Sequence, residues 1–157
     1  MKHPRPQTGF SYLALLILLA TLGFTASASV LLGSIAQRRQ AEQELLFVGA
    51  AYREALGSYY LAKPPGQRRY PPNLEALLLD TRFPEPRRHL RKLYPDPITG
   101  EANWQLLRHP DGGIMAVASR SPITPIKQDL FEPEDASFRG RQHYTDWVFA
   151  ARVAPGS

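Results

Sequence analysis

The stretch Phe10-Ser-Tyr-Leu-Ala-Leu-Leu-Ile-Leu-Leu-Ala-Thr-Leu-Gly-Phe24 decides how the rest of the chain is read. It is nearly all apolar, and residues 6–37 carry no formal charge. About 20 apolar residues at a rise of ~1.5 Å span a hydrocarbon core of ~30 Å. Residues 10–35 are therefore expected to cross a bilayer. Lys2 and Arg5 precede the run, as a positive-inside start requires. Arg38 and Arg39 follow it, partly offset by Glu42 and Glu44.

Three readings of this amino terminus compete. A secretory signal peptide would end at Ala26-Ser27-Ala28, which fits the A-x-A cleavage pattern. Against it, the apolar pattern runs on through Val30, Leu31, Leu32 and Ile35. A plain single-span anchor is the second reading, and hydropathy does not exclude it. The third depends on Gly9-Phe10: a short basic leader, residues 1–9, ends in Gly, and Phe opens the apolar helix. This layout resembles the type IV prepilin leader, which a dedicated peptidase cuts after the glycine.

Beyond Arg39 the sequence turns amphipathic. Ala41, Leu45, Val48, Tyr52, Ala55, Leu56 and Tyr59 recur at three- and four-residue steps. That is one apolar stripe on a 3.6-period helix, with Glu42, Glu44, Arg53 and Glu54 assigned to the other faces. No proline falls between Pro6 and Pro64, so one helix is expected from Phe10 to about residue 62. Gly49 and Gly57 are sites for bending or close approach.

Lys63-Pro-Pro-Gly-Gln-Arg-Arg69 is a breaker-rich loop and the expected boundary of a head, residues 63–157. Tyr70-Pro-Pro-Asn-Leu-Glu-Ala-Leu-Leu-Leu79 reads as a short helix with Asn73 as N-cap and Glu75 in its first turn. Tyr94-Pro-Asp-Pro-Ile-Thr-Gly100 is a turn by composition. Strands are expected at Trp104–Arg108, Ile114–Ser119 and Trp147–Val153, with Asp111-Gly112-Gly113 connecting the first two.

The length of 157 residues fits one ordinary domain. Zero cysteine excludes a disulfide framework, an Fe–S cluster, a thiol nucleophile and cysteine-ligated zinc. The net charge of +5 admits nucleic acid or anionic lipid as a partner. His3, His89, His109 and His143 form no metal-ligand spacing, and no P-loop or Gly-x-Ser-x-Gly elbow occurs, so the chain does not read as an enzyme. The basic segment Arg82, Arg87, Arg88, Arg91, Lys92 lacks the aromatic ladder that stacks bases. Nucleic acid is not the expected partner. A solvated face, acidic lipid or the 129–135 loop of a neighbouring subunit suits the segment better.

Together these residues resemble the pseudopilins of bacterial type II secretion systems and type IV pilin-like proteins more broadly. Tyr70-Pro-Pro-Asn-Leu-Glu-Ala-Leu and Tyr94-Pro-Asp-Pro-Ile-Thr-Gly are similar to head segments of the major pseudopilin. The resemblance implies an α+β fold: a membrane-spanning helical spine bearing a small head with a short helix and a three-stranded antiparallel sheet. It implies a single-pass protein of the bacterial inner membrane with its head in the periplasm. The implied function is structural, a subunit processed between Gly9 and Phe10 and assembled into a short pseudopilus that supports protein secretion. Partners would be other pseudopilins or further copies through the amino-terminal helix, the prepilin peptidase, the inner-membrane assembly platform and membrane lipid. Phe10 would be the methylated terminus, with one departure: Ala14 stands where most of the family carries Glu. The family also binds calcium in a carboxy-terminal loop, and Asp129, Glu132, Glu134 and Asp135 would be its counterpart here, although the run matches no EF-hand and a solvated acidic loop is the simpler account. Two alternatives share the same residues: a type IV pilus subunit for adhesion or DNA uptake, and a membrane-anchored or secreted binding domain that never polymerises.

Overall fold

The computed structural model describes the backbone of residues 8–64 and 66–153, and the side chains of residues 12–19, 34–64 and 66–153. The element order is helix α1 (Thr8–Leu61), strand β1 (Gln105–Arg108), strand β2 (Ile114–Ala118) and strand β3 (Phe149–Ala150), with 3₁₀ turns at Glu75–Leu77, Pro133–Phe138 and Tyr144–Asp146. The chain falls into two compact units, Met1–Arg38 and Arg39–Ser157.

The expectation of a membrane-spanning spine is corrected. No helix among the described residues is long and apolar enough to cross a membrane. A crossing needs about 20 consecutive apolar residues to span a hydrocarbon core of ~30 Å. The fold class built on that spine, the transmembrane segment at residues 10–35 and the single-pass inner-membrane location are corrected with it.

The second unit is organised around the stripe on α1. Leu45, Val48, Tyr52, Ala55, Leu56 and Tyr59 are all buried, against Leu77, Leu90, Trp104, Ile114, Val117, Phe138, Tyr144, Trp147 and Phe149. Each large apolar side chain removed from water contributes ~1.5–3 kcal/mol, so burying this face against its partners is a large favourable contribution to the unit. The three strands form one antiparallel sheet in the order β1-β2-β3. Gln105 faces Ala118 and Leu107 faces Ala116, and a bulge after Leu107 sets Arg108 opposite Ile114. The connection between them closes with Gly112 at φ 87, a left-handed value that glycine adopts without strain. β3 is only two residues long, pairing Phe149 with Val117 and Ala150 with Ala116. Trp147, two positions before it, is spent on the core, where it stacks on Phe138 at 5.3 Å.

The helix expected over residues 70–79 shrinks to the single turn Glu75–Leu77. Asn73 Oδ1 still accepts from the Ala76 amide at 3.0 Å, as a cap does. Propagation stops because the Leu77 carbonyl is taken by the amides of His89 and Leu90, at 2.8 and 2.9 Å. A carbonyl engaged by a distant segment is no longer free to continue the local ladder.

Candidate functional site

The head is fastened to α1 along two flanks, and the fastening is polar as well as apolar. On one flank the buried Tyr52 hydroxyl donates to the Tyr94 carbonyl and accepts from the Tyr94 amide, both at 3.0 Å. The Trp104 indole donates to the same carbonyl at 2.8 Å, and the rings of Tyr52 and Trp104 meet edge to face. Burial raises the Tyr52 hydroxyl pKa above its usual value. The turn 94–100 is closed by Asp96, which is fully buried: it accepts from the Ser119 hydroxyl at 2.6 Å and the Ile98 amide at 2.9 Å.

Further along the same flank lies a buried ionic cluster. Asp80, 1% exposed, accepts from Arg82 Nε at 2.8 Å and Nη2 at 2.7 Å, and His89 Nε2 lies 3.2 Å from its second oxygen. Arg82 also donates to the Tyr59 carbonyl at 2.7 Å and packs its guanidinium 3.5 Å over the Tyr59 ring. Burial alone would raise the Asp80 carboxyl, but the hydrogen bonds from Arg82 and His89 outweigh it and hold the group at about 2. Ser58 Oγ stands 2.8 Å from His89 Nδ1. The line Ser58–His89–Asp80 thus has the connectivity of nucleophile, base and orienting acid. Two features set it apart from a catalytic triad. The Asp80 charge is already matched by a bidentate arginine, and the Ser58 amide lies within α1, where its hydrogen bond goes to the helix rather than to an oxyanion.

On the opposite flank Arg53 pairs with Asp135 at 2.5 Å, both side chains nearly buried. Glu42 is buried as well, its carboxylate accepting from the Lys127 amide at 3.0 and 3.2 Å and from the Tyr144 hydroxyl at 3.2 Å. The helical pattern assigns Glu42 and Arg53 to the outer faces. Instead the head reaches over and supplies the partner each one needs.

The acidic loop is not drawn around one point. Asp129 pairs with Arg139 at 2.8 Å, Glu134 with Arg152 at 2.5 Å and Asp135 with Arg53, while Glu132 contributes its carbonyl to the Asp135 amide. Among the described residues no group of three or more His, Asp or Glu is placed to hold a metal ion. Three of the four carboxylates expected to hold calcium thus each face a different arginine. Gly9 and Phe10 fall in the first turn of α1, and their surroundings lie outside the described residues. Ala14 is described and exposed.

The basic segment divides in two. Arg82 is consumed by Asp80, and Arg87 lies 4.2 Å over the Phe83 ring. Arg88 and Arg91 are exposed without an ion-pair partner among the described residues. They flank a groove of about 490 Å³ between α1 and residues 88–94. That groove has no signal in the sequence, because its lining comes from two segments some forty positions apart. No family model, curated protein or solved structure matches the chain.

Proposed function

We propose that this chain is a structural, pseudopilin-like subunit of a type II secretion system, cleaved after Gly9 and assembled with other copies or relatives through the amino-terminal part of α1. One observation carries the reading. Tyr12, Leu13, Leu15, Leu16, Ile17, Leu18 and Leu19 are all exposed, at 45–66%, while the same helix buries its later stripe in a head of its own. A contiguous exposed apolar surface of this kind marks an interaction site. Helices of further copies are the cover that fits, because each presents the same side chains. Ala14 stands where most of that family carries Glu, so a contact among copies of this helix is made without that carboxylate.

Amino-terminal sequencing and intact mass, with and without co-expressed prepilin peptidase, test the proposal. A peptidase-dependent terminus at Phe10 is expected. A terminus at Ser29, or a chain left uncut by the peptidase, overturns it.

A further inference from the structure

We infer that the groove between α1 and residues 88–94 receives the tip of the acidic loop, residues 129–132, of a second copy of this chain, with Leu130 as its apolar plug. The inference rests on the fibre-subunit reading and specifies where the heads meet. The groove is lined by Phe47, Ala50, Ala51 and Leu90, with Arg88 and Arg91 beside them. Phe47 is 69% exposed, on a side of α1 where Gln43, Ala50 and Glu54 are exposed too. Glu54 also contributes to the lining, so the groove carries two exposed arginines against one carboxylate.

The loop has the complementary form. Leu130 is 86% exposed, at its tip, with Asp129 before it and Glu132 just beyond. The tip is held firmly: the Leu130 amide donates to Asp129 Oδ1 at 2.7 Å, and the next residue, Phe131, packs edge-on against Trp147 at 5.3 Å. Glu132 has no ion-pair partner among the described residues, and the Asp129–Arg139 pair is exposed on both sides and exchangeable. An apolar knob between two carboxylates thus matches an apolar groove beside two arginines. Burial of the leucine would hold the contact, and the charges would set its register and exclude a reversed one.

The chain has no native cysteine, so directed disulfides in the full-length protein test the contact. Leu130→Cys and Ala50→Cys chains are mixed and oxidised, with Leu130→Cys plus Leu79→Cys, also exposed, as the control pair. A mixed disulfide forming about tenfold faster with position 50 than with position 79 is expected, corresponding to ~1.4 kcal/mol of preferential association. Arg88→Glu/Arg91→Glu in the Ala50→Cys chain should abolish that preference, and Asp129→Lys/Glu132→Lys in the other chain should restore it. Equal rates at 50 and 79, or indifference to the charge reversal, overturn the inference. Leu130→Gly removes the plug without touching the core: it should keep the thermal midpoint and lose association through the groove, and unchanged association overturns the inference equally. A Leu16→Cys homodisulfide reports the helix contact separately. Its persistence while the 130–50 disulfide fails removes the groove contact alone, and loss of both removes the fibre reading too.

Discussion

Residues 12–19 and residues 45–59 of α1 are both rich in large apolar side chains, yet the first set is exposed and the second supplies the core of the head. The difference lies in spacing. In 12–19 the apolar residues are consecutive, so they point all round the helix and no single surface can cover them. From Leu45 to Tyr59 they return every three or four positions to one side, which one sheet and its loops cover completely. Hydrophobicity alone does not bury a residue; a matching surface on the right side does. Among the described residues the apolar side chains of the first stretch are exposed, so truncating one is not expected to cost the head its stability.

Truncating one side chain in each stretch gives the largest expected contrast. Tyr52→Ala removes a fully buried ring and strands the Tyr94 amide, while the Tyr94 carbonyl keeps the Trp104 indole. A cost of about 4 kcal/mol is expected, a large share of the ~5–15 kcal/mol that keeps a domain folded. Leu16→Ala, in the exposed stretch, should leave the urea midpoint of the head unchanged while weakening association. Chemical denaturation followed by tryptophan fluorescence measures both midpoints, since Trp104 and Trp147 lie in the core. A Leu16→Ala midpoint shifted as far as that of Tyr52→Ala would erase the distinction between the two stretches.

Much of the second stretch was legible in the sequence, because periodicity depends on local geometry alone. The stripe positions, the hairpin around Asp111-Gly112-Gly113 and the turn opened by Tyr94 are all set by near neighbours. What was not legible was decided by distant partners. Glu42 and Arg53 look like surface charges until Lys127, Tyr144 and Asp135 arrive to satisfy them. Asp80 follows three leucines with no hint that Arg82 and His89 will enclose it. The short helix after Tyr70 stops early for the same reason, its Leu77 carbonyl being claimed by residues 89 and 90. The membrane reading failed differently: it counted apolar residues over 10–35, whereas no helix among the described residues meets the length and apolarity that a crossing demands.

The polar fastening of the second stretch should respond to acid. The Asp80 carboxyl is held at about 2 in the folded protein, below its ordinary 3.8. A depressed folded pKa contributes stability above the unfolded value, and that contribution disappears as pH falls through the folded one. The window therefore runs from about pH 4 down to about pH 2. Each pH unit across it is worth ~1.4 kcal/mol, so the whole loss is ~2 kcal/mol. Asp80→Asn should flatten the stability profile in that window relative to the natural chain, and destabilise the head at neutral pH by leaving Arg82 without its counter-charge. Superimposable acid profiles for the two proteins would show that the cluster does not fasten residues 80–90 to α1. Residues 12–19 contain no titratable carboxylate, so acid should not alter their helix directly.

The smallest expected effect separates intrinsic helix preference from packing. Gly49 lies in the buried stretch, and a Cβ placed there would intrude on the Phe149 ring of β3. Alanine in place of glycine favours a helix by ~1 kcal/mol, whereas crowding a packed core costs ~1–3 kcal/mol. Packing should win by a narrow margin at this position, so Gly49→Ala is expected to destabilise the head by about 1 kcal/mol. Ala14 is the reciprocal position, exposed and with no core to crowd. There Ala14→Gly should follow propensity alone, lowering the helical signal in circular dichroism and leaving the head's denaturation midpoint where it was. A stabilised Gly49→Ala protein would mean that the Phe149 ring turns aside freely. The approach of β3 to α1 would then be loose, and the later stretch would differ from the earlier one in coverage but not in tightness of packing.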